Sequence, residues 1–366
     1  MPYKSRWSLP IPESSFPTWL FTSPSTDLGD AACYLDAASP EENFLTRNSF
    51  KLWSQRFALG LHRSGLFKEG DRVLVFSGNT LATPVAFMGT LMAGGIFTGA
   101  NPLFTARELA YQLRDSGASI LLCSDASIQT GIEAAKLSGL GQGRIFVFNK
   151  SFGKSSDSVS AEGLRYWSDL IAPAEEAKDY QWPQLTGPGE CHTTLALNYS
   201  SGTTGVPKGV EITHYNYIAN TLQFGFLSTL MPDYEERQKK ARWLCYLPLY
   251  HAMAQTLYLA GGLRRQIPVY IMAKFDFVEV LANIQKFQIT ELALVPPIAV
   301  AFLKHPATKK YDLSSVSTAS SGAAPLGREV CQQLEKIWDG KVNIKQGWGM
   351  TEYVEQTHSH RDATEC

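Results

Sequence analysis

The chain has 366 residues, 44% of them hydrophobic, and 33 basic against 34 acidic residues give a net charge of -1. This length and composition predict a globular protein of two or more packed units. No basic stripe interleaved with aromatic residues and no run of about 18 apolar residues occurs, which argues against polymeric nucleic acid as a partner and against a membrane span. The six cysteines lack CxxC spacing and are interpreted as reduced core thiols of an intracellular protein.

Strand and helix patterns alternate along the chain. Strands are predicted at 31–36, 72–76, 96–99, 120–123, 144–148, 194–197, 243–247, 268–271, 291–295, 315–320 and 342–345. Helices are predicted at 46–61, 80–93, 106–116, 126–136, 214–230, 253–263, 277–287, 297–304 and 327–338, and the charged segment 232–240 is interpreted as a solvated turn. The alternation predicts an α/β fold of layered, mostly parallel sheets flanked by helices, with ligands at the carboxyl ends of the strands.

Two polar stretches, 149–163 and 173–188, interrupt this pattern and suggest a subdomain boundary. We therefore expect a first α/β subdomain over residues 1–190 and a second, carrying the ligand site, over 191–352.

The segment 199–210, Tyr-Ser-Ser-Gly-Thr-Thr-Gly-Val-Pro-Lys-Gly-Val, follows an apolar strand. Hydroxyl side chains, glycines and one lysine within twelve positions are typical of a loop that wraps phosphate oxygens. It is not the P-loop of kinases and GTPases, because Lys208 is followed by Gly209 rather than by Ser or Thr. The alternative, a flexible linker, is disfavoured because the segment lies between a predicted strand and a predicted helix.

Three further segments follow predicted strands. They are Leu-Pro-Leu-Tyr-His at 247–251, Ser-Ser-Gly-Ala-Ala-Pro-Leu at 320–326 and Gln-Gly-Trp-Gly-Met-Thr-Glu at 346–352. Four such segments at strand ends predict one shared ligand site.

Together these segments resemble the adenylate-forming superfamily of acyl- and aryl-CoA ligases, luciferases and nonribosomal adenylation domains, and look closest to 4-coumarate–CoA ligase-like enzymes. The resemblance covers about residues 31–352 and implies the large N-terminal domain of that fold. It also implies ATP and Mg²⁺, activation of a small-molecule carboxylic acid to an acyl-adenylate, and transfer of the acyl group to CoA.

The resemblance assigns expected roles to residues of this chain. The phosphates of ATP would be held by Ser200, Ser201, Gly202, Thr203, Thr204, Gly205 and Lys208. Adenine would lie against Gly322, Ala323 and Ala324 and near Trp348, within the segment Gly347, Trp348, Gly349, Met350 and Thr351. Thr351 would contact the α-phosphate and Glu352 would bind Mg²⁺. His251, Thr351 and Lys208 are the expected catalytic residues.

The acyl group is expected to contact His251, Ala252, Met253, Leu257 and Ala319. These side chains are small or apolar apart from the histidine, and they favour an apolar or aromatic acid. For His251 alone a structural role is the alternative, and His214 is interpreted as structural.

After Glu352 the chain turns into a polar tail, 353–366, and the family's ribose-binding aspartate, hinge and C-terminal lid domain are missing from it. We therefore expect a C-terminally truncated chain of impaired activity. The alternatives are a non-catalytic nucleotide- or acyl-binding remnant, or an adenylating enzyme that serves a carrier protein; a separate C-terminal half is a further candidate partner. The last residues, Ala-Thr-Glu-Cys, are not a peroxisomal signal, which favours the cytoplasm.

Overall fold

The fold is taken from a computed structural model that describes residues 5, 7–22, 29–149, 152–153, 159–160, 162–200, 206–353 and 357–358. The helices are α1 (Phe16–Thr22), α2 (Arg47–Arg63), α3 (Ala82–Met92), α4 (Ala106–Ser116), α5 (Ile128–Ser138), α6 (Ala174–Ala177), α7 (His214–Thr229), α8 (Tyr234–Lys240), α9 (Ala252–Ala254), α10 (Phe277–Phe287), α11 (Pro296–Lys304) and α12 (Arg328–Glu335). A π-helix, Gln255–Gly262, continues α9 directly.

The strands are β1 (Ala32–Asp36), β2 (Phe44–Thr46), β3 (Arg72–Phe76), β4 (Ile96–Ala100), β5 (Ala118–Cys123), β6 (Ile145–Val147), β7 (Arg165–Tyr166), β8 (Thr194–Ser200), β9 (Lys208–Thr213), β10 (Trp243–Cys245), β11 (Val269–Ile271), β12 (Glu291–Leu294), β13 (Thr318–Ser321), β14 (Ile344–Trp348) and β15 (Thr357–His358). Short 3₁₀ turns join several of them, among them Thr351–Tyr353.

Within the described residues the strands form two sheets. The seven-stranded sheet has the order β7-β6-β5-β3-β4-β8-β9, and the eight-stranded sheet has the order β15-β14-β13-β12-β10-β11-β1-β2. Pairing is parallel except for β8 with β9, β1 with β2 and β14 with β15. The predicted α/β architecture of mostly parallel sheets flanked by helices is confirmed.

Helices cover the sheets on several sides. Leu109, Leu113 and Ala134 of α4 and α5 pack against Leu74 and Leu121 of the seven-stranded sheet. A second, larger core unites side chains of both sheets with those of α1, α2, α3 and α7. All eleven residues of α3 are buried, which is expected of a helix enclosed by protein on every side.

The predicted boundary at residue 190 does not coincide with the division between the sheets. Strands β1 and β2, from the start of the chain, belong to the eight-stranded sheet, whereas β8 and β9, which follow residue 190, complete the seven-stranded sheet. The chain therefore crosses between the sheets in both directions, which a change in local composition could not indicate.

Several element predictions were wrong in detail. Residues 208–213, where no strand was predicted, form strand β9, which pairs with the neighbouring strand β8 through backbone hydrogen bonds. The charged segment predicted as a turn contains helix α8, where Asp233 pairs with Arg237 and Glu236 with Lys240 at 2.6 Å each, the spacing at which helical neighbours meet. Helix α1 was not predicted. Strand β15 lies in the segment predicted to be a polar tail.

In the described part of the chain, no helix is long and apolar enough to cross a membrane.

Gly60 in α2 marks a close approach between helix and loop. A β-carbon added there would lie 1.9 Å from the carbonyl oxygen of Leu170. Gly60→Ala is therefore expected to lower the free energy of unfolding by about 1–3 kcal/mol, because the backbone must move to admit the methyl group. Urea unfolding followed by circular dichroism measures the change.

Gly225→Ala in α7 is the matched control, because a β-carbon there has no atom to meet within 4 Å. Alanine should raise the free energy of unfolding by up to about 1 kcal/mol through its higher helix propensity. Equal effects of the two substitutions would contradict the packing argument.

Candidate active site at the junction of the two sheets

Two of the predicted segments extend side by side from neighbouring strands. Strands β13 and β14 are parallel, with Ser320 opposite Lys345 and Ser321 opposite Gln346. Segment 322–324 follows β13 and segment 349–352 follows β14, so both leave the same edge of the sheet. The Gln346 side chain accepts the Leu326 N–H at 3.1 Å and joins the two segments.

The surface formed by these segments is open. Ala323 and Ala324 are exposed, and the Trp348 side chain is 62% exposed. Ala323 has φ 68°, a left-handed conformation that a residue with a β-carbon seldom adopts, so the turn is locally strained. Small side chains beside an exposed indole form a surface that a flat ring could approach.

The phosphate-loop segment is anchored on both flanks, although Ser201, Gly202, Thr203, Thr204 and Gly205 lie outside the described residues. Ser200 and Lys208 face each other across β8 and β9. The Tyr199 hydroxyl donates to Asp115 at 2.6 Å, and the Tyr111 hydroxyl donates to the Pro207 carbonyl at 3.0 Å. The partners Asp115 and Tyr111 both belong to α4.

Helix α4 is itself fixed at its first turn by a capping box. The Thr105 N–H donates to Glu108 at 2.8 Å, and the Glu108 N–H donates to the Thr105 hydroxyl at 3.4 Å. Burial, followed by the bond to Asp115, raises the pKa of Tyr199, so its phenol stays protonated as the donor. The ends of the loop are thus held at fixed positions on a rigid helix.

The turn Thr351–Tyr353 connects the sheets. It follows β14 of the eight-stranded sheet and contacts β8 and β9 of the seven-stranded sheet. Thr351 is half-buried and Glu352 is exposed. The structure therefore brings the predicted α-phosphate and metal residues to the strands that flank the phosphate loop.

His251 follows β10 and begins α9, where its Nδ1 accepts the Met253 N–H at 3.4 Å. The surrounding protein lowers the pKa of the imidazole by desolvation, although part of the ring faces solvent. Neutral imidazole at neutral pH is therefore favoured.

A buried amide fixes the segment that carries His251. Asn79 donates to the Leu247 carbonyl at 3.0 Å and accepts the Leu249 N–H at 2.9 Å. Gly99 of β4 also lies against this segment, since a β-carbon added there would be 2.8 Å from the Cα of Tyr250. The seven-stranded sheet and its following loop therefore determine where His251 lies.

A second link joins β8 to the π-helix. The buried Asn198 side chain donates to Gln255 at 3.0 Å. On the other side of the π-helix, the hydroxyl of the fully buried Tyr34 bonds to the Tyr258 and Leu259 carbonyls at 3.3 and 3.2 Å. These bonds support the unusual helix that follows His251.

A narrow cavity, the sheet cavity, lies between this helix, α7 and one face of the eight-stranded sheet. It has a volume of about 70 Å³ and is lined by Phe224, Leu227, Ser228, Trp243, Leu257, Tyr258, Glu291, Leu292, Ala293, Thr318, Ser320 and Lys345. Lys345 Nζ is 3.9 Å from the Met231 sulfur, and Glu291 is 3.6 Å from Arg265.

The predicted acyl-contact residues are distributed unevenly around this cavity. Leu257 lines the sheet cavity, whereas Ala319 does not. Because side chains alternate along β13, the neighbours of Ala319, Thr318 and Ser320, line the cavity instead. The Met253 methyl would be 3.4 Å from a β-carbon at Gly322, which places Met253 beside segment 322–324, the predicted adenine contact. Ala252 is buried at the start of α9.

The donors present fit a magnesium ion only in part. Among the described residues there is no cluster of three or more His, Cys, Asp or Glu that could hold a metal. Mg²⁺ in nucleotide sites takes one or two carboxylates together with phosphate oxygens and water, so the single exposed Glu352 is compatible with it.

Several residues of the site were missed by sequence reasoning. Asn79, Asn198, Thr318 and Lys345 were given no role in the site, and Ser320 was named only as part of segment 320–326. Their positions depend on strand register and on contacts between the sheets. The alternation of side chains along β13 was the one signal that could have favoured Thr318 and Ser320 over Ala319.

The chain belongs to the AMP-binding enzyme family, which matches residues 25–365. It is 32% identical over 353 residues to phenylacetyl-CoA ligase epaB of Aspergillus niger, and the aligned region covers 96% of this chain and 62% of that ligase. It is 33% identical to 4-coumarate-CoA ligase 1 of Narcissus pseudonarcissus, with 88% of this chain and 55% of that one covered. The resemblance stated from the sequence is confirmed at the level of the family.

Solved structures agree with the fold. The anthranilate CoA ligase AuaEII in complex with anthranoyl-AMP matches with a TM-score of 0.78 at 19% identity, covering 95% of this chain and 62% of that one. A long-chain-fatty-acid-CoA ligase, FadD1, from Archaeoglobus fulgidus matches with a TM-score of 0.76 at 22% identity, covering 95% and 66%. The chain spans 62% of the length of epaB and 55% of that of the Narcissus ligase.

His214 has a structural contact, in agreement with its interpretation, although the cap of α7 is Thr213. Its Nδ1 accepts the Phe16 N–H at 2.9 Å and so joins α1 to α7, and burial lowers its pKa to about 4. An unfolded histidine binds a proton below about pH 6.5. The free energy of unfolding should therefore fall between pH 6.5 and 4, by up to about 3 kcal/mol from this residue, and this contribution should level off below pH 4.

Urea unfolding at intervals of half a pH unit measures this slope. His214→Gln should flatten it, and His192→Gln, at an exposed histidine, is the control. An NMR titration of the folded wild type checks the assignment independently of the variants. A titration midpoint near pH 6.5 for His214 would contradict it.

Proposed function

We propose that the protein is an ATP-dependent acid–CoA ligase that converts a carboxylic acid to an acyl-adenylate and then to an acyl-CoA. The observation that carries the proposal is that the turn Thr351–Tyr353 contacts β8 and β9, the strands that flank the phosphate loop. Segment 322–324 leaves the same sheet edge beside Met253, and segment 247–251 lies against Gly99 of β4. Relatives named as CoA ligases support the same reaction class.

In this proposal the first step is attack of a carboxylate oxygen on the α-phosphorus of ATP, with pyrophosphate leaving. Two anions must approach each other, so the site has to neutralise charge and hold the reacting atoms in line. Lys208 and the hydroxyls of the phosphate loop would bind the leaving phosphates, and Thr351 would donate to the α-phosphate. A magnesium ion at Glu352, when bound, would offset phosphate charge.

His251 would orient the acid. Its Nδ1 is occupied by the Met253 N–H, which leaves Nε2 to face the reacting groups. As a neutral imidazole carrying its proton on Nε2 it could donate a hydrogen bond to the carboxylate or to the α-phosphate. In the second step, the CoA thiol would attack the acyl carbonyl and release AMP.

The sheet cavity is the proposed acyl site. Phe224, Leu227 and Leu257 give it apolar walls, and its volume of about 70 Å³ favours a compact acyl group over a long chain. The resulting substrate class is a small aromatic or short apolar acid.

Lys208→Ala tests the first step. Loss of one charge-assisted phosphate contact should reduce ATP–pyrophosphate exchange and Mg·ATP affinity by about tenfold to a hundredfold. Calorimetry measures binding and radiolabelled pyrophosphate measures exchange. Lys136→Ala, which removes an exposed lysine on α5, is the control. Mg·ATP binding that survives Lys208→Ala unchanged would contradict the assignment.

Leu257→Ala tests the acyl site. Removing this side chain should enlarge the sheet cavity and shift the preference of adenylate formation by about tenfold towards bulkier acids. Benzoate, phenylacetate, cinnamate, octanoate and dodecanoate form a suitable panel for pyrophosphate release. Leu103→Ala, at an exposed leucine, is the control, and an unchanged order of preference in Leu257→Ala would refute the assignment.

A further inference from the structure

A second cavity, the arginine cavity, lies beside α7 and outside the proposed ligase site. It has a volume of about 800 Å³ and is lined by Leu9, Pro10, Arg47, Thr221, Leu222, Phe224, Gly225, Phe226, Thr229, Tyr234, Gln238, Lys239, Gly261, Arg264, Arg265 and Gln266. Four of these described residues are basic and none is acidic. Its wall towards the sheet cavity includes Phe224, which lines both.

Arg47 is the residue that makes this cavity unusual. It is the first residue of α2, only 5% of it is exposed, and its Nε and Nη1 atoms are buried without a hydrogen-bond partner. Burial lowers the pKa of Arg47, and burial, followed by the charge of Arg47, lowers the pKa of Arg264. The two guanidinium groups are therefore close enough to repel each other.

Two other arginines of the cavity are held in place by their own contacts. The Arg264 guanidinium lies 4.8 Å from the centre of the Trp19 ring, and Arg265 donates to Gln238 at 3.1 Å and lies 3.6 Å from Glu291. The fourth basic residue, Lys239, is exposed at the rim.

An unpaired guanidinium in the interior is costly, because it loses hydration and gains no counter-charge. A guanidinium remains charged in proteins and cannot relieve this cost by losing its proton. An anion in the adjoining cavity, which Arg47 lines, would supply the missing counter-charge, and arginine binds both carboxylate and phosphate groups well.

The apolar side chains that line the cavity indicate the chemistry of the part of the ligand that lies beyond its anionic head. Leu9, Leu222, Phe224 and Phe226 present apolar surface to the same space. We propose that the arginine cavity binds an amphipathic anion, with its carboxylate or phosphate head at Arg47 and its apolar body along α7. This site is separate from the proposed substrate site, and the proposal does not depend on the ligase activity.

Calorimetry with octyl phosphate, octanoate and inorganic phosphate tests the proposal on the 366-residue chain. Octyl phosphate or octanoate should bind the wild type and raise its melting temperature, and the tighter of the two identifies the head group. Inorganic phosphate should bind at least tenfold more weakly than octyl phosphate. Equal affinity would refute an apolar contribution.

Arg47→Met should weaken binding of the preferred probe at least tenfold. Because the substitution removes an unpaired buried charge, the ligand-free variant should melt at or above the wild-type temperature. Lys239→Met, at the exposed rim, should weaken binding a few-fold without affecting folding. Arg107→Met removes an exposed arginine on α4 and is the matched control.

Binding of neither amphiphile to the wild type would overturn the proposal. An affinity for the preferred probe that is unchanged in both Arg47→Met and Lys239→Met would also overturn it. So would an affinity that Arg107→Met reduces as strongly as Arg47→Met does.

Discussion

The buried amides at the junction of the two sheets are the contacts on which the site depends. Asn79 bonds to the backbone on both sides of Pro248, and Asn198 bonds to Gln255 across the space between β8 and the π-helix. A buried amide that loses its partner costs about 1–3 kcal/mol, so these bonds hold the segments in one arrangement. The position of His251 relative to the phosphate-loop flanks follows from them.

The same junction explains why the site draws on distant parts of the chain. The loops that follow parallel strands lie at one edge of the sheet. Because the chain crosses between the sheets, β8 and β9 of the seven-stranded sheet lie opposite the end of β14. Helix α4 then holds the two flanks of the phosphate loop through Tyr111 and Asp115. Rigid elements therefore carry the groups that the proposed reaction between two anions would require in fixed positions.

Helix α7 separates two cavities of contrasting chemistry. The sheet cavity is narrow, and its lining combines apolar side chains with one basic residue, Lys345, and one acidic residue, Glu291. The arginine cavity is larger and combines apolar walls with an unpaired buried cation at Arg47. Phe224 lies between them, so a ligand in the arginine cavity would touch a side chain that also contacts the proposed acyl group.

The sequence by itself determined the alternation of most strands and helices and the chemistry of the four segments. Helical and strand periodicity, the capping box at Thr105 and the Ser/Thr/Gly/Lys composition of the phosphate loop are local properties that the chain encodes over short distances. Only the tertiary structure decided which elements became neighbours. Strand β9 forms because β8 supplies its hydrogen bonds, Thr318 and Ser320 rather than Ala319 line the sheet cavity because of register, and Arg47 is an unpaired buried cation because of residues far away in the sequence.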